Sequence, residues 1–435
     1  MTITIDKLAK ILQTLFTTEA DTAAKESGMI QRRRKISGAG FVQTLVFGWL
    51  EDPTTTVDEL GDELNVSKQG LGRRLDTRAA DCLWRVVKKA LHWLFATGPE
   101  AIPLLRRFTS VVIDDCTSLG LPAELARKFP GCSGSDPEMG QAGLKLLVRF
   151  EVTAGQFQAL EVGAARDSEH TLAKSLRPLP SGSLHLADLG FFELNELAKL
   201  SRQGVFWISR VPALLKKQAN DGTTEELADW LKHQRADRLD RPIRLGTETR
   251  LDCRLVAVRL PENVAQQRLR KLKQTLKKKG RTISERQRVM CQWLVLITNL
   301  PADQFTIEEI CVLYRVRWQV ELLFKRWKSL VGLGRSRGHR AYRVLCETYA
   351  KLLGCLVQHW GTLLRGSPLS GISAYRRARR VRRFAAEIAE ALENFDELLN
   401  ALERLAARLR RLPRQDKRRR RPSTRQLLFR PRLAA

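Results

Sequence analysis

Four side chains in the stretch YRVRWQVELLFKRWK open the chemical reading: Tyr314, Arg317, Glu321 and Lys328. At about 100° per residue, this spacing places all four within roughly 60° of one face of a single helix. That face presents a phenol, a guanidinium, a carboxylate and an ammonium, while Val316, Val320, Leu323 and Trp327 point toward a core. Helix geometry alone favours a solvated row with pairs such as Arg317–Glu321. Two more acids shift the balance. Asp115 lies inside the apolar run SVVIDDCTS, where a charge without a partner is expensive, and Asp188 ends SLHLADLGF just before a glycine. Acids at the ends of core strands, with a third on a helix, form a pocket suited to two divalent cations about 3.5–4 Å apart. The competing reading is that each acid caps a neighbouring turn.

The elements that would carry these residues follow from periodicity. Strands are expected at SVVIDDCTS, GLKLLVRFEV (143–152), FQALEVGAAR (157–166), SLHLADLGF (183–191) and VFWISRV (205–211). Helices are expected around SEHTLAKSLRPL and ELNELAKLSRQG, giving a mixed α/β core with helices returning over the sheet. Asp114 and Asp115 are adjacent and so face opposite sides of their strand. Residues 212–300 interrupt the rhythm with β-like segments and a basic helical stretch, RLRKLKQTLKKKGRTISERQR, holding ten Lys or Arg against one acid. Such a run is read first as a solvated helix face.

Residues 1–104 read as a helical domain. Within it, Thr56 and Glu59 form a capping box, Val57, Leu60 and Leu64 share a face, and Ser67 starts a second helix. This spacing predicts a helix-turn-helix that leaves Lys68, Gln69, Arg73 and Arg74 available to DNA; an ordinary basic hairpin is the alternative. Toward the other end, Val381, Phe384, Ile388, Ala391, Phe395, Leu398, Leu402, Leu405, Leu409 and Leu412 recur at gaps of three and four. That stripe predicts a helix wanting a partner, either its own body or a second copy. The tail after Pro413, with DKRRRRP, reads as disordered.

The 435 residues carry 76 Lys and Arg against 47 Asp and Glu, a formal net charge of +29, beside 43% hydrophobic residues. The apolar content excludes a wholly disordered basic chain, and the charge asks for a polyanionic partner. The eight cysteines form no C-x-x-C pair, so neither a zinc site nor a disulfide framework is expected. The N-terminus lacks a signal-peptide pattern and no run is long enough to span a membrane, which predicts a soluble cytoplasmic protein, associated with the nucleoid.

On these residues the chain resembles bacterial insertion-sequence transposases of the DDE type, which have a ribonuclease-H-like catalytic core. Their signature Y-x2-R-x3-E-x6-K is met at Tyr314, Arg317, Glu321 and Lys328. The first acid of that group sits in a strand before a small residue and Thr, as in Asp115-Cys116-Thr117; the second matches Asp188-Leu189-Gly190-Phe191. The resemblance implies a core in two parts (105–211 and 301–365) around a β-rich insertion (212–300), with 366–435 forming a C-terminal helix and basic tail. It implies that Asp115, Asp188 and Glu321 are catalytic and hold two Mg2+ ions, with Mn2+ able to substitute. Tyr314, Arg317 and Lys328 would position phosphates of the element ends, and Arg317 would keep Glu321 ionised. Trp293 and Trp318 are candidates for holding a flipped base, although core roles suit both; His170 is read as structural, and Asp114 as a helix or backbone partner.

The implied reaction is metal-dependent cleavage at insertion-sequence ends and strand transfer into target DNA, carried out on double-stranded DNA by a homodimer in a synaptic complex, with no membrane involved. Two alternatives stay open at this point: a ribonuclease-H-fold nuclease or resolvase, and a catalytically silent DNA-binding descendant.

Overall fold

The computed structural model describes residues 3–31, 35–93, 95–98, 101–132, 141–218, 223–278, 280–336, 338, 340–415 and 422–431. The chain divides into two compact units. One comprises Met1–Glu100, Cys116–Asp167 and Gln319–Asp416; the other comprises Ala101–Asp115, Ser168–Trp318 and Lys417–Ala435.

The first unit opens with six helices: α1 (Ile5–Thr14), α2 (Ala20–Glu26), α3 (Gly38–Glu51), α4 (Val57–Glu63), α5 (Lys68–Arg74) and α6 (Thr77–His92). A π-helical segment, Leu15–Glu19, joins α1 to α2. The capping box expected before α4 is present, with Thr56 N–H donating to Glu59 Oε2 at 2.6 Å. Ser67 Oγ accepts from Gly70 N–H at 3.1 Å and starts α5. Asn65 takes a left-handed φ of 53° in the turn between them. Gly61 is needed there because a Cβ would come within 2.7 Å of the Val66 carbonyl oxygen.

β1 (Val111–Leu121) is shared by the two units. β2 (Ala142–Glu151) and β3 (Gln156–Ala164) form an antiparallel hairpin in the first. The second contains α7 (Glu169–Ala173), β4 (Leu184–Ala187), α8 (Leu194–Arg202), β5 (Phe206–Arg210), β6 (Lys216–Gln218), β7 (Thr224–Glu226) and α9 (Leu227–Lys232). It continues through β8 (Arg238–Leu245), β9 (Leu251–Arg259), α10 (Glu262–Lys278), α11 (Glu285–Gln292), β10 (Trp293–Thr298) and α12 (Ile307–Arg315). Hydrogen bonding orders the ten strands β3-β2-β1-β4-β5-β10-β9-β8-β6-β7. β1, β4 and β5 run parallel, as helical crossovers through α7 and α8 require, and β10 enters antiparallel to β5. This is the mixed α/β, ribonuclease-H-like arrangement expected from the strand and helix order. The expected β-rich stretch is realised by β6 to β10, with α10 and α11 inserted between β9 and β10.

Helices complete the first unit: α13 (Trp318–Leu330), α14 (Ala341–Leu363), α15 (Ala374–Arg382), α16 (Ala385–Glu390) and α17 (Phe395–Arg410). α14 is buried from Val344 to Leu363, so its apolar surface continues around the helix and forms the centre of this unit. The long stripe at 381–412 is not one helix. Phe384 and Asn394 stand at breaks, and Asn394 Oδ1 accepts from Asp396 and Glu397 N–H at 3.0 and 3.3 Å to start α17. Leu398, Leu402, Leu405 and Leu409 are buried within the chain's own body, with α17 lying against α1.

The tail also departs from expectation. Residues 416–421 lie outside the described residues, but α18 (Thr424–Phe429) is a capped helix whose Leu427 and Leu428 are buried, with the helix packed on α12. No disulfide joins any of the eight cysteines. Among the described residues no helix is long and apolar enough to cross a membrane.

Candidate active site

The parallel register of β1 and β4 separates the two adjacent aspartates. Val112 pairs with His185 and Asp114 with Ala187, where the paired register ends, so Asp115 and Asp188 are each the next residue onward. Residues 114 and 185 share one face, and there His185 Nε2 lies 3.0 Å from Asp114 Oδ2 in a nearly buried contact. Asp114 therefore has a side-chain partner in His185. By the same alternation Asp115, midway along β1, and Asp188, just past the end of β4, fall to the opposite face.

Asp115 meets a cation. Arg317 Nη1 lies 3.2 Å from Asp115 Oδ2, and the two side chains are only 11% and 9% exposed. Arg317 thus holds Asp115, an acid with which the sequence did not pair it. Asp188 Oδ1 accepts from Gly190 N–H at 2.7 Å and caps the 3₁₀ turn Leu189–Phe191, as the competing reading expected of one oxygen. A Cβ on Gly190 would fall 2.0 Å from Glu169 Oε2, which places another carboxylate directly over this turn.

The four signature residues do not lie along one helix. α12 ends at Arg315, and Val316 and Arg317 form a turn closed by bonds from Val316 N–H to the Leu313 carbonyl and from Arg317 N–H to the Tyr314 carbonyl. Then α13 begins at Trp318. These i→i+3 bonds replace the α-helical ladder, so the 100° rule no longer relates Tyr314 to Glu321. Only Glu321 and Lys328, seven residues apart on α13, keep their common face. The turn directs Arg317 to β1, which a continuous helix face did not foresee.

Tyr314 is buried at the end of α12. Burial pushes its phenol above the ordinary value, while the Arg317 and Arg210 guanidinium groups pull it back. Arg317 lies 5.9 Å from the tyrosine ring centroid. Lys328 Nζ donates to the Ser118 carbonyl on the second half of β1 at 3.2 Å.

The two tryptophans part company. Trp293 is 1% exposed in the core of the second unit, with Arg259 at 4.3 Å from its ring centroid, so a base has no access to it there. Trp318, at the first residue of α13, is 48% exposed. His170 Nδ1 lies 3.3 Å from Glu193, in keeping with a structural role. On α5, Lys68 and Arg73 are exposed and Arg74 is half-buried. Arg210, His185 and Glu169 were absent from the sequence-based candidates. Only the pairing of β4 with β1 and β5, and the approach of α7 to the Gly190 turn, bring them into view, because none belongs to a spaced motif.

Residues 106–356 match the family model described as the transposase DDE domain. The chain belongs to this family. It is similar to a transposase for insertion sequence element IS231C from Bacillus thuringiensis subsp. berliner, at 28% identity over 363 residues, covering 77% of this chain and 75% of that one. It is also similar to a transposase for insertion sequence element IS1151 from Clostridium perfringens, at 25% identity over 366 residues, covering 78% and 76% of the two chains. All six residues of the candidate site, Asp115, Asp188, Tyr314, Arg317, Glu321 and Lys328, fall inside the matched stretch, whereas the α4–α5 pair precedes it.

DDE transposase domains generally use divalent metal ions. The oxygen donors of Asp115 and Asp188, each the next residue after the last pair of the β1–β4 register, have the hard-ligand chemistry that Mg2+ prefers. Among the described residues, no group of three or more His, Cys, Asp or Glu stands close enough to hold an ion.

Proposed function

We propose that this transposase cuts DNA at the ends of its insertion sequence and joins those ends to target DNA, with Asp115, Asp188 and Glu321 as its catalytic carboxylates. What supports the reading is the strand register, which pairs Asp114 with Ala187 one residue before Asp115 and Asp188, while His185 takes Asp114. These carboxylates would hold two Mg2+ ions, or Mn2+ in their place. Bound there, the ions would lower the pKa of a water or 3′-hydroxyl and stabilise the leaving oxygen of an in-line displacement.

The chain's own residues supply orientation. Arg317 holds the Asp115 carboxylate in a fixed position, and Asp188 is oriented by its hydrogen bond within its own turn. The Arg317 guanidinium and the Tyr314 hydroxyl provide donors for phosphate oxygens of the element end, and Lys328 adds a point charge. Trp318, exposed at the start of α13, is the aromatic available to stack on a displaced base. The α4–α5 pair would read the ends through Lys68, Arg73 and Arg74, and two copies would bring two ends together. The chemistry would take place in the cytoplasm, at the nucleoid.

The test is joining of a labelled element-end duplex to plasmid in Mg2+. Asp115→Asn, Asp188→Asn and Glu321→Gln should each abolish cutting and joining while duplex binding persists. Retained joining in any one variant removes that residue from the site, and cutting without joining in the wild type would reduce the protein to a nuclease.

A further inference from the structure

The basic stretch of the insertion becomes a helical hairpin, α10 and α11, in the second unit. Along α10 the partly buried Leu269, Leu272 and Leu276 occupy one side. At 100° per residue, Arg270, Lys271 and Lys278 fall on the opposite arc, with Lys277 at its edge and Lys273 flanking Leu269; all five are exposed, as is Arg281 beyond the helix. Among the described residues none of these six cations makes an ion pair. The acids of the neighbourhood face other partners: Glu285 lies 3.7 Å from Lys232, and Asp229 lies 2.9 Å from Arg286. The hairpin turn passes through Gly280, at φ 62°, over a cleft of about 500 Å3 lined by Lys273, Leu276, Lys277, Arg281, Thr282 and Arg288.

The cationic surface continues inward. Arg268 Nη1 donates to the Trp293 carbonyl at 2.8 Å, and burial together with the like charge of Arg210 holds its pKa below the usual value. The charge of Arg210 acts on Tyr314 as well. Arg210 therefore links the hairpin's inner face to the Tyr314–Arg317 region within one unit.

We propose that the α10–α11 hairpin is a second DNA-binding surface, one that lies along the phosphates of duplex DNA without reading sequence. It rests on the transposase reading above and adds to it a place where the duplex is held. At 1.5 Å per residue α10 is about 25 Å long. That length of duplex axis carries about 15 phosphate charges at one per 1.7 Å. The face is mostly Lys and Arg, whose charges meet phosphates whatever the sequence; Arg270, Gln274 and Arg281 could also pair with a base edge, so indifference to sequence is what the two duplexes test.

The experiment uses the full chain with Lys273, Lys277 and Arg281 all changed to Ala. Its affinity for an element-end duplex and for an unrelated duplex of equal length is measured between 50 and 300 mM KCl. Three lost phosphate contacts should flatten the log–log salt slope by about 2.7 and raise Kd about 100-fold near 150 mM salt, equally on both duplexes. A charge-keeping set, K273R with K277R and R281K, should bind as the wild type does. Unchanged slope and affinity in the Ala variant would overturn the inference; so would a loss confined to the element end, or equal loss in the charge-keeping set. Unchanged binding in a chain whose wild type joins ends leaves the transposase reading standing without this surface. The expected loss in a chain that joins nothing leaves the surface standing without transposition.

Discussion

Asp115→Asn tests the register argument and the buried ion pair together. The substitution keeps side-chain volume but leaves the Arg317 guanidinium, 11% exposed, without its counter-charge at 3.2 Å. Breaking a buried pair by removing one partner costs about 3–5 kcal/mol. Because an Asn oxygen still accepts from the guanidinium, the lower end, about 3 kcal/mol, is expected. In a body of 150–250 residues this corresponds to a fall in Tm of about 6–12 °C. Asp114→Asn should cost about 1 kcal/mol, since Asn can still accept from His185 Nε2–H. Arg317→Met removes the cation beside the Asp115 carboxylate, whereas the double variant removes both charges. A double-mutant cycle by thermal denaturation should therefore show coupling of at least about 1.5 kcal/mol. Cleavage of an element-end duplex is then compared some 15 °C below the lowest Tm, where every variant is folded by circular dichroism. Asp114→Asn should cut and Asp115→Asn should not. Additivity within about 0.5 kcal/mol would refute the pair, and cutting by Asp115→Asn alone would refute the register assignment.

On α13, Lys328→Ala should weaken duplex binding and reduce its salt slope by about one, whereas Glu321→Gln should abolish cutting with binding held or improved; joint loss of binding and folding in both would mark a structural face. Gly190→Ala puts a Cβ where Glu169 Oε2 stands, so that flexible carboxylate must swing aside; stability should change by no more than about 0.5 kcal/mol, and a larger loss in thermal denaturation would show that the Asp188 turn itself shifts. His359 is fully buried, and burial lowers its pKa from 6.5 to about 3, while its Nε2–H donates to the Gly155 carbonyl at 2.7 Å. The folded state resists a proton that the unfolded state accepts, so stability is lost as pH falls from 6.5 toward 3, by at most about 1.4 kcal/mol per pH unit. His359→Gln should flatten that slope in denaturant titrations, and an unaltered slope would assign it to other groups. In α5, Lys68→Ala with Arg73→Ala should narrow the gap between element-end and unrelated duplex affinities; an unchanged ratio would return α4–α5 to the status of a basic hairpin.

Local order was legible because it depends on near neighbours. Strand alternation, the Thr56–Glu59 box and the Ser67 cap identified the first five strands and the α4–α5 pair before any packing was known. The types of the site residues were equally legible, since a carboxylate within an apolar run such as Asp115 stands out without knowledge of its partners. Which of Asp114 and Asp115 faces the site was not legible. Alternation assigns them to opposite faces, but the register of β4 and the position of His185 decide which face is which. Four further features also required the structure. The turn at Val316–Arg317 broke a seemingly continuous helix, Asn394 divided an unbroken leucine stripe, and α18 ordered part of a basic tail against α12. Trp293 and Trp318, alike in sequence as aromatic candidates, separated into core and surface. For α18 and the two tryptophans a contact between residues distant in the chain decided the outcome, about which periodicity along one segment carries no information; at Val316–Arg317 and Asn394 short-range backbone and cap bonds outweighed the apolar period.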